Sequence, residues 1–177
     1  EVSLLYEIKD DGFFFFVVMS VFGYFLGDFK NSSKNPGKAR YFNQVIVPEY
    51  GEISANNTSG KVHNLNKERA RIFYAAPSHK RLVRIVDWMD ERGIVRSSDH
   101  YNKYGALYAR TVFNAKGQKV NRTYFSAEGE EIIHMNYVTN DIILNEGNTV
   151  RFFKNLTEFV CYFMKVTGLA EKRIFFN

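Results

Sequence analysis

Residues 89–129 read MDERGIVRSSDHYNKYGALYARTVFNAKGQKVNRTYFSAEG, and Gly93, Gly105, Gly117 and Gly129 recur in them at a fixed spacing of twelve. Three positions before each glycine stands a turn-opening residue: Asp90, Asn102, Asn114 and Ser126. Each opener follows an apolar residue, Met89, Tyr101, Phe113 or Phe125. A short polar side chain accepts from the backbone two residues on, and glycine takes the positive-φ position that closes the turn. Turns of four residues then alternate with extended runs of about eight, each spanning about 26 Å. The pattern predicts up-and-down antiparallel strands over 81–89, 94–101, 106–113, 118–125 and 130–137. Tyr137 continues the apolar column, Asp141 stands where a fifth glycine would fall, and 141–145 is expected as a sixth strand.

Working outward, strand-like runs precede the repeat at 41–47, 52–54, 62–65 and 69–76, after a loop at 31–38 rich in Asn, Ser, Pro and Gly. Earlier still, 2–8 reads as a short strand closed by Asp10-Asp11-Gly12. Phe13 to Leu26 is the most apolar stretch; it is shorter than the ~20 residues a spanning helix needs, so a buried core segment is expected. After the repeat the period changes. Asn155 is placed to cap a helix over 156–167 with Leu156, Phe159, Val160 and Phe163 on one stripe and Gly168 as its stop, and 172–176 reads as a strand. The expected fold is mixed α+β, a long antiparallel meander inserted in part of an α/β lobe. Residues 1–40 begin that lobe, 41–150 form the extended sheet and 151–177 return to the lobe. The chain starts at Glu1 and stops where another helix should follow, so it reads as a piece of something longer.

Composition narrows the class. Of 177 residues 45% are hydrophobic and 24% charged, which excludes collagen-like, disulfide-rich and disordered chains. Seventeen Phe and eleven Tyr lean towards half-buried pleated surfaces. The formal net charge is +5, but basic and acidic residues interleave along the chain, so no nucleic-acid partner is expected. One cysteine, Cys161, permits no intramolecular disulfide and reads as inert helix packing. His63, His79, His100 and His134 lack ligand spacing, and no phosphate loop, dinucleotide fingerprint or nucleophile elbow occurs. No catalytic, metal or cofactor residues are assigned. The meander's mixed faces instead read as a docking platform, with Tyr108, Arg110, Val112, Arg122 and Tyr124 as candidate partner-binding residues. Charge reversal of Arg110 and Arg122 is expected to break docking and leave the fold intact.

A family resemblance covers nearly all of 41–177. It is carried by Tyr41-Phe42-Asn43-Gln44-Val45-Ile46-Val47-Pro48, Arg69-Ala70-Arg71-Ile72-Phe73-Tyr74, Tyr101-Asn102-Lys103-x-Gly105, Thr123-Tyr124-Phe125-Ser126-x-x-Gly129 and Thr139-Asn140-Asp141-Ile142-Ile143-Leu144. These blocks resemble the stabilising subunit, GtfB, of the accessory Sec protein O-GlcNAc transferase. The resemblance implies a sheet inserted in a Rossmann-like lobe of the two-lobed GT-B type. It also implies a non-catalytic, chaperone-like role without a cofactor. The implied partners are a catalytic glycosyltransferase subunit, in a hetero-oligomer, and a Ser/Thr-rich adhesin polypeptide. The implied place is the cytoplasm, with peripheral contact at the inner membrane face. Two alternatives remain at this level: the amino-terminal part of a catalytic GT-B enzyme with the same sheet, and a YD-like repeat surface protein.

Overall fold

The computed structural model describes residues 3–10, 13–27, 29, 37–169 and 174–176. The elements run β1 (Ser3–Asp10), β2 (Phe13–Ser20), α1 (Val21–Leu26), β3 (Gly51–Ala55), β4 (Ser59–Asn64), β5 (Lys67–Tyr74), β6 (Val83–Met89) and β7 (Val95–Tyr101). They continue with β8 (Leu107–Phe113), β9 (Lys119–Phe125), β10 (Glu131–Asn136), β11 (Ile142–Asn145), β12 (Val150–Phe153), α2 (Leu156–Val166) and β13 (Ile174–Phe176). Strands β3 to β12 make one ten-stranded sheet in strict chain order, antiparallel at every step. A second sheet, β13-β1-β2, is also antiparallel.

The periodic turns are built as their residues dictate. Each opener's amide donates to the carbonyl four residues on: Asp90 to Ile94 at 2.9 Å, Asn102 to Ala106 at 3.0 Å, Asn114 to Gln118 at 2.9 Å and Ser126 to Glu130 at 2.8 Å. Each opener's side-chain oxygen accepts from the amides two and four residues on. The four glycines sit at φ 76°, 80°, 76° and 81°. At Asp90 these backbone amides, that of Ile94 first, hold the carboxyl below its ordinary range. The fifth turn departs from the expected column. It opens at Asn136, Tyr137 lies inside it, and Asn140 takes the left-handed conformation at φ 64°.

A second periodic feature accompanies the turns. In each ladder from β6–β7 to β9–β10 the register slips by one residue, leaving Arg96, Tyr108, Val120 and Ile132 as extra residues, again twelve apart. Such a bulge re-aims the side chains on either side of it. Simple alternation along the strand therefore misassigns faces beyond the bulge.

Each face of the ten-stranded sheet is covered over half its width, at opposite ends. On the first face, Ala109, Tyr124, Ile133, Ile142, Leu144 and Phe153 from β8–β12 pack against Val21, Phe22 and Leu26 of α1 and Phe159 and Phe163 of α2. Phe22 stacks on Tyr124 at 4.8 Å, and Phe159 meets both Phe22 and Phe153 at 5.4 Å. Fully burying each phenyl ring contributes about 2–3 kcal/mol. Helix α2 begins and ends as expected: Asn155 Oδ1 accepts from the Glu158 amide at 3.0 Å, and Gly168 lies at φ 67°. Its Cys161 is exposed, not packed, because it falls outside the Phe159–Phe163 stripe. The 13–26 stretch divides at Ser20, whose hydroxyl caps α1 by accepting from the Gly23 amide.

On the second face, Val62, Ala70, Ile72, Tyr74, Val83 and Val86 of β4–β6 are covered by Val45. The covering segment, 40–48, was expected to be a strand over 41–47. It instead makes a single bridge, Tyr41 to Leu82, then a 3-10 turn over Phe42–Gln44 fixed by Gln44 Oε1 accepting from the Tyr41 amide at 2.7 Å. That turn lifts the chain off the ladder and lays Val45 on the apolar half-face.

Candidate interaction surface

The five candidate docking residues do not share one surface. Arg110 and Val112 lie on the second face, in register with Asp99 and Asn121. Tyr108 is the bulge residue of β8 and turns to the first face, where it packs on the helix-covered cluster and its ring lies 6.2 Å from that of His100. Tyr124 is 5% exposed beneath Phe22. Arg122, directly opposite Thr111 on the first face, is half-buried and donates through Nε to Thr111 Oγ1 at 2.7 Å.

Arg110 is a structural cation as well as a surface one. Its Nε and Nη2 donate to the two carboxylate oxygens of Asp99 at 2.6 and 3.0 Å, and the Trp88 indole N–H donates to the same carboxylate at 3.0 Å. Asp99 is 3% exposed, so three charge-assisted bonds replace the water it has lost. Hydrogen bonding to Asp99 in turn raises the Arg110 guanidinium further above its ordinary value. The expectation that reversing Arg110 and Arg122 leaves the fold intact is therefore corrected: Arg110→Glu would set a second carboxylate against a buried one.

Across the first face a polar ladder links neighbouring strands. The Ser98 hydroxyl donates to Asp87, His100 Nε2 lies 3.2 Å from Thr111 Oγ1, and Arg122 Nη2 lies 3.2 Å from His100 Nε2. A guanidinium only donates, so His100 Nε2 is the acceptor and the ring proton sits on Nδ1. Burial, and then the Arg122 charge, push His100 below its ordinary value. Side-chain contacts on both faces join residues eleven apart, 87–98, 100–111 and 111–122 on the first face and 99–110 and 123–134 on the second. That spacing was present in the sequence, but only knowledge of the bulges turns it into pairing.

The uncovered half of the second face runs over β8–β12. One transverse row reads Arg110, Thr123, His134, Ile143 and Phe152 by direct register. Phe152 is 63% and Val150 67% exposed, and Val112 borders the row. Thr123 Oγ1 and His134 Nδ1 lie 3.1 Å apart, tying the row's polar centre together. The apolar groups stand on a sheet whose other side is sealed by α1 and α2. Among the described residues no group of three His, Cys, Asp or Glu could hold a metal, and no helix is long and apolar enough to cross a membrane.

A ten-stranded meander in chain order, bulged at every repeat and half-covered on each face, defines an extended antiparallel sheet module. Residues 51–154 match the family model described as the GtfB middle domain, and the chain belongs to that family. It is 37% identical over 171 residues, 96% of this chain, to the UDP-N-acetylglucosamine--peptide N-acetylglucosaminyltransferase stabilizing protein GtfB of Streptococcus gordonii. Identity to the protein of the same name from Streptococcus pneumoniae is also 37% over 171 residues. The chain spans 37% of the length of either relative. Among solved structures, a chain of a GtfA/B complex bound to UDP and GlcNAc superposes with a TM-score of 0.76 at 38% identity, covering 86% of this chain and 33% of that one.

Proposed function

We propose that this chain is the sheet-bearing part of a non-catalytic stabilising subunit of a peptide N-acetylglucosaminyltransferase, and that it docks on the catalytic subunit through the uncovered half of its second face. The observation that carries the reading is the exposure of Phe152, Val150 and Val112 on a sheet half whose reverse is already buried by helices. A surface of that kind is stable when another protein covers it. Similarity over almost the whole chain to proteins named for stabilising such a transferase supports the role. The pairing of GtfA with GtfB in the similar solved complex supports the kind of partner.

On this reading the small sheet with α1 and α2 belongs to a Rossmann-like lobe into which the meander is inserted. The assembly acts in the cytoplasm, at the inner membrane face, as a hetero-oligomer on a Ser/Thr-rich adhesin destined for accessory Sec export, and the subunit also helps hold that acceptor. The test is sugar transfer from UDP-GlcNAc to a Ser/Thr-rich peptide by the full-length protein, its partner, and both together. Silence of the protein alone with stimulation or stabilisation of the partner agrees with the reading; turnover by the protein alone refutes it.

A further inference from the structure

Strand β3 is the outermost strand of the ten-stranded sheet, and among the described residues no strand lies beyond it. The Asn56 amide donates to the Ser59 carbonyl at 3.0 Å, so the alternation of an antiparallel ladder makes 54–61 and 52–63 the hydrogen-bonded pairs. Glu52 and Ser54 therefore spend their backbone groups on β4, while Gly51, Ile53 and Ala55 turn theirs outward. The Gly51 amide is already taken, donating to the Pro48 carbonyl at 2.9 Å. What the edge offers is both groups of Ile53 and of Ala55, with the Gly51 carbonyl. Such an edge is a template for another strand unless proline, charge or a covering element guards it. The opposite edge, β12, is guarded: Arg151 donates to Glu146 at 2.6 Å and lies over the Tyr162 ring of α2 at 4.9 Å. Strand β3 holds no proline and a single charge, Glu52.

We propose that β3 pairs with β3 of a second copy of this chain, antiparallel about a two-fold axis between the two Ile53 residues. In that register the Ile53 backbones bond each other, and each Ala55 amide donates to the Gly51 carbonyl of the other copy. On the second face the apolar row Ile53, Val62, Ala70 and Trp88 then runs unbroken into its twin. On the first face the row Glu52, His63 and Glu68 runs into the row Ser54, Lys61 and Arg71 of the second copy. Lys61 and Arg71 share the Glu68 carboxylate of their own chain, at 2.7 and 2.5 Å, so their row keeps a positive excess for the incoming Glu52 to meet. A register centred on Ser54 would also use the outward groups, but it would run one basic row into the other. Charge thus selects the pairing centred on Ile53. An edge this short predicts a weak, concentration-dependent pair.

The test is sedimentation equilibrium of the full-length protein over a concentration series, joined to disulfide trapping. The mass is expected to rise from one copy towards two as concentration rises. In a Cys161→Ser background, which removes the exposed native thiol, Ile53→Cys should cross-link under copper phenanthroline, because hydrogen-bonded partners stand about 5.5 Å apart at Cα. Tyr50→Cys, exposed but about 20 Å from its twin in this register, should not. Ala55→Pro removes an outward amide that β4 does not use, so the thermal midpoint holds while self-association weakens about tenfold or more. Should it lower the midpoint, Glu52→Lys, at an exposed position, decides, with an expected loss of about threefold or more. A single copy at every concentration, equal cross-linking of Tyr50→Cys and Ile53→Cys, or unchanged association in the deciding variant overturns the pairing. Docking of the catalytic subunit, on the far half of the sheet, is left standing by each of these results.

Discussion

The turn glycines and the Asp99–Arg110 pair differ in how far a sequence reveals them. Gly117 has open space around its missing side chain, so Gly117→Ala costs only the positive-φ strain, about 1–2 kcal/mol in chemical denaturation. Asn140 already bears a side chain at φ 64°, so Asn140→Gly should be neutral or slightly stabilising. The four glycine positions were legible because a turn is local chemistry, whereas Asn140 was not, since the twelve-residue column put Asp141 in the glycine's place. The Asp99–Arg110 pairing was not, because the extra residue Tyr108 resets the alternation two positions before Arg110. Arg110→Glu should destabilise by about 2–4 kcal/mol, tempered by the exposure of the arginine, with Asp99→Asn milder. His100 supplies a pH signature. Its folded value lies below the ordinary one, so the unfolded chain takes the proton first. The stability it contributes is complete above about pH 6.5 and is lost as pH falls through the folded value. His100→Gln should flatten that acid-side decline in a denaturation series.

At the scale of elements, the strands between 83 and 145 and helix α2 were readable because turn chemistry and the apolar stripe each repeat. Phe163, fully buried in that stripe, carries a direct test: Phe163→Ala should cost about 3–5 kcal/mol, and exposed Cys161→Ser close to nothing, by thermal or urea unfolding. Two elements escaped the sequence. Strand β12 follows a short turn through Gly147 and shows three exposed residues before Phe153, so no alternation marks it. The 40–48 segment reads as strand from its β-branched and aromatic residues, yet the Gln44 side chain closes a 3-10 turn there and tertiary burial of Val45 settles its place.

For the whole molecule, the sequence made the sheet's extent and mixed faces visible but not which half of which face is open. That depends on where α1 and α2, and the 40–48 segment, come to rest, and it is why Tyr124 was read as surface when it is core. Docking of the catalytic subunit on the open half-face of β8–β12 is what the proposed function depends on. Its most direct test is the dissociation constant between the full-length protein and its catalytic subunit, compared for the unaltered protein and the Val112→Glu/Phe152→Glu double variant. Both side chains are exposed, so the thermal midpoint should hold while binding weakens by about a hundredfold or more. An unchanged dissociation constant in a folded double variant would contradict the account.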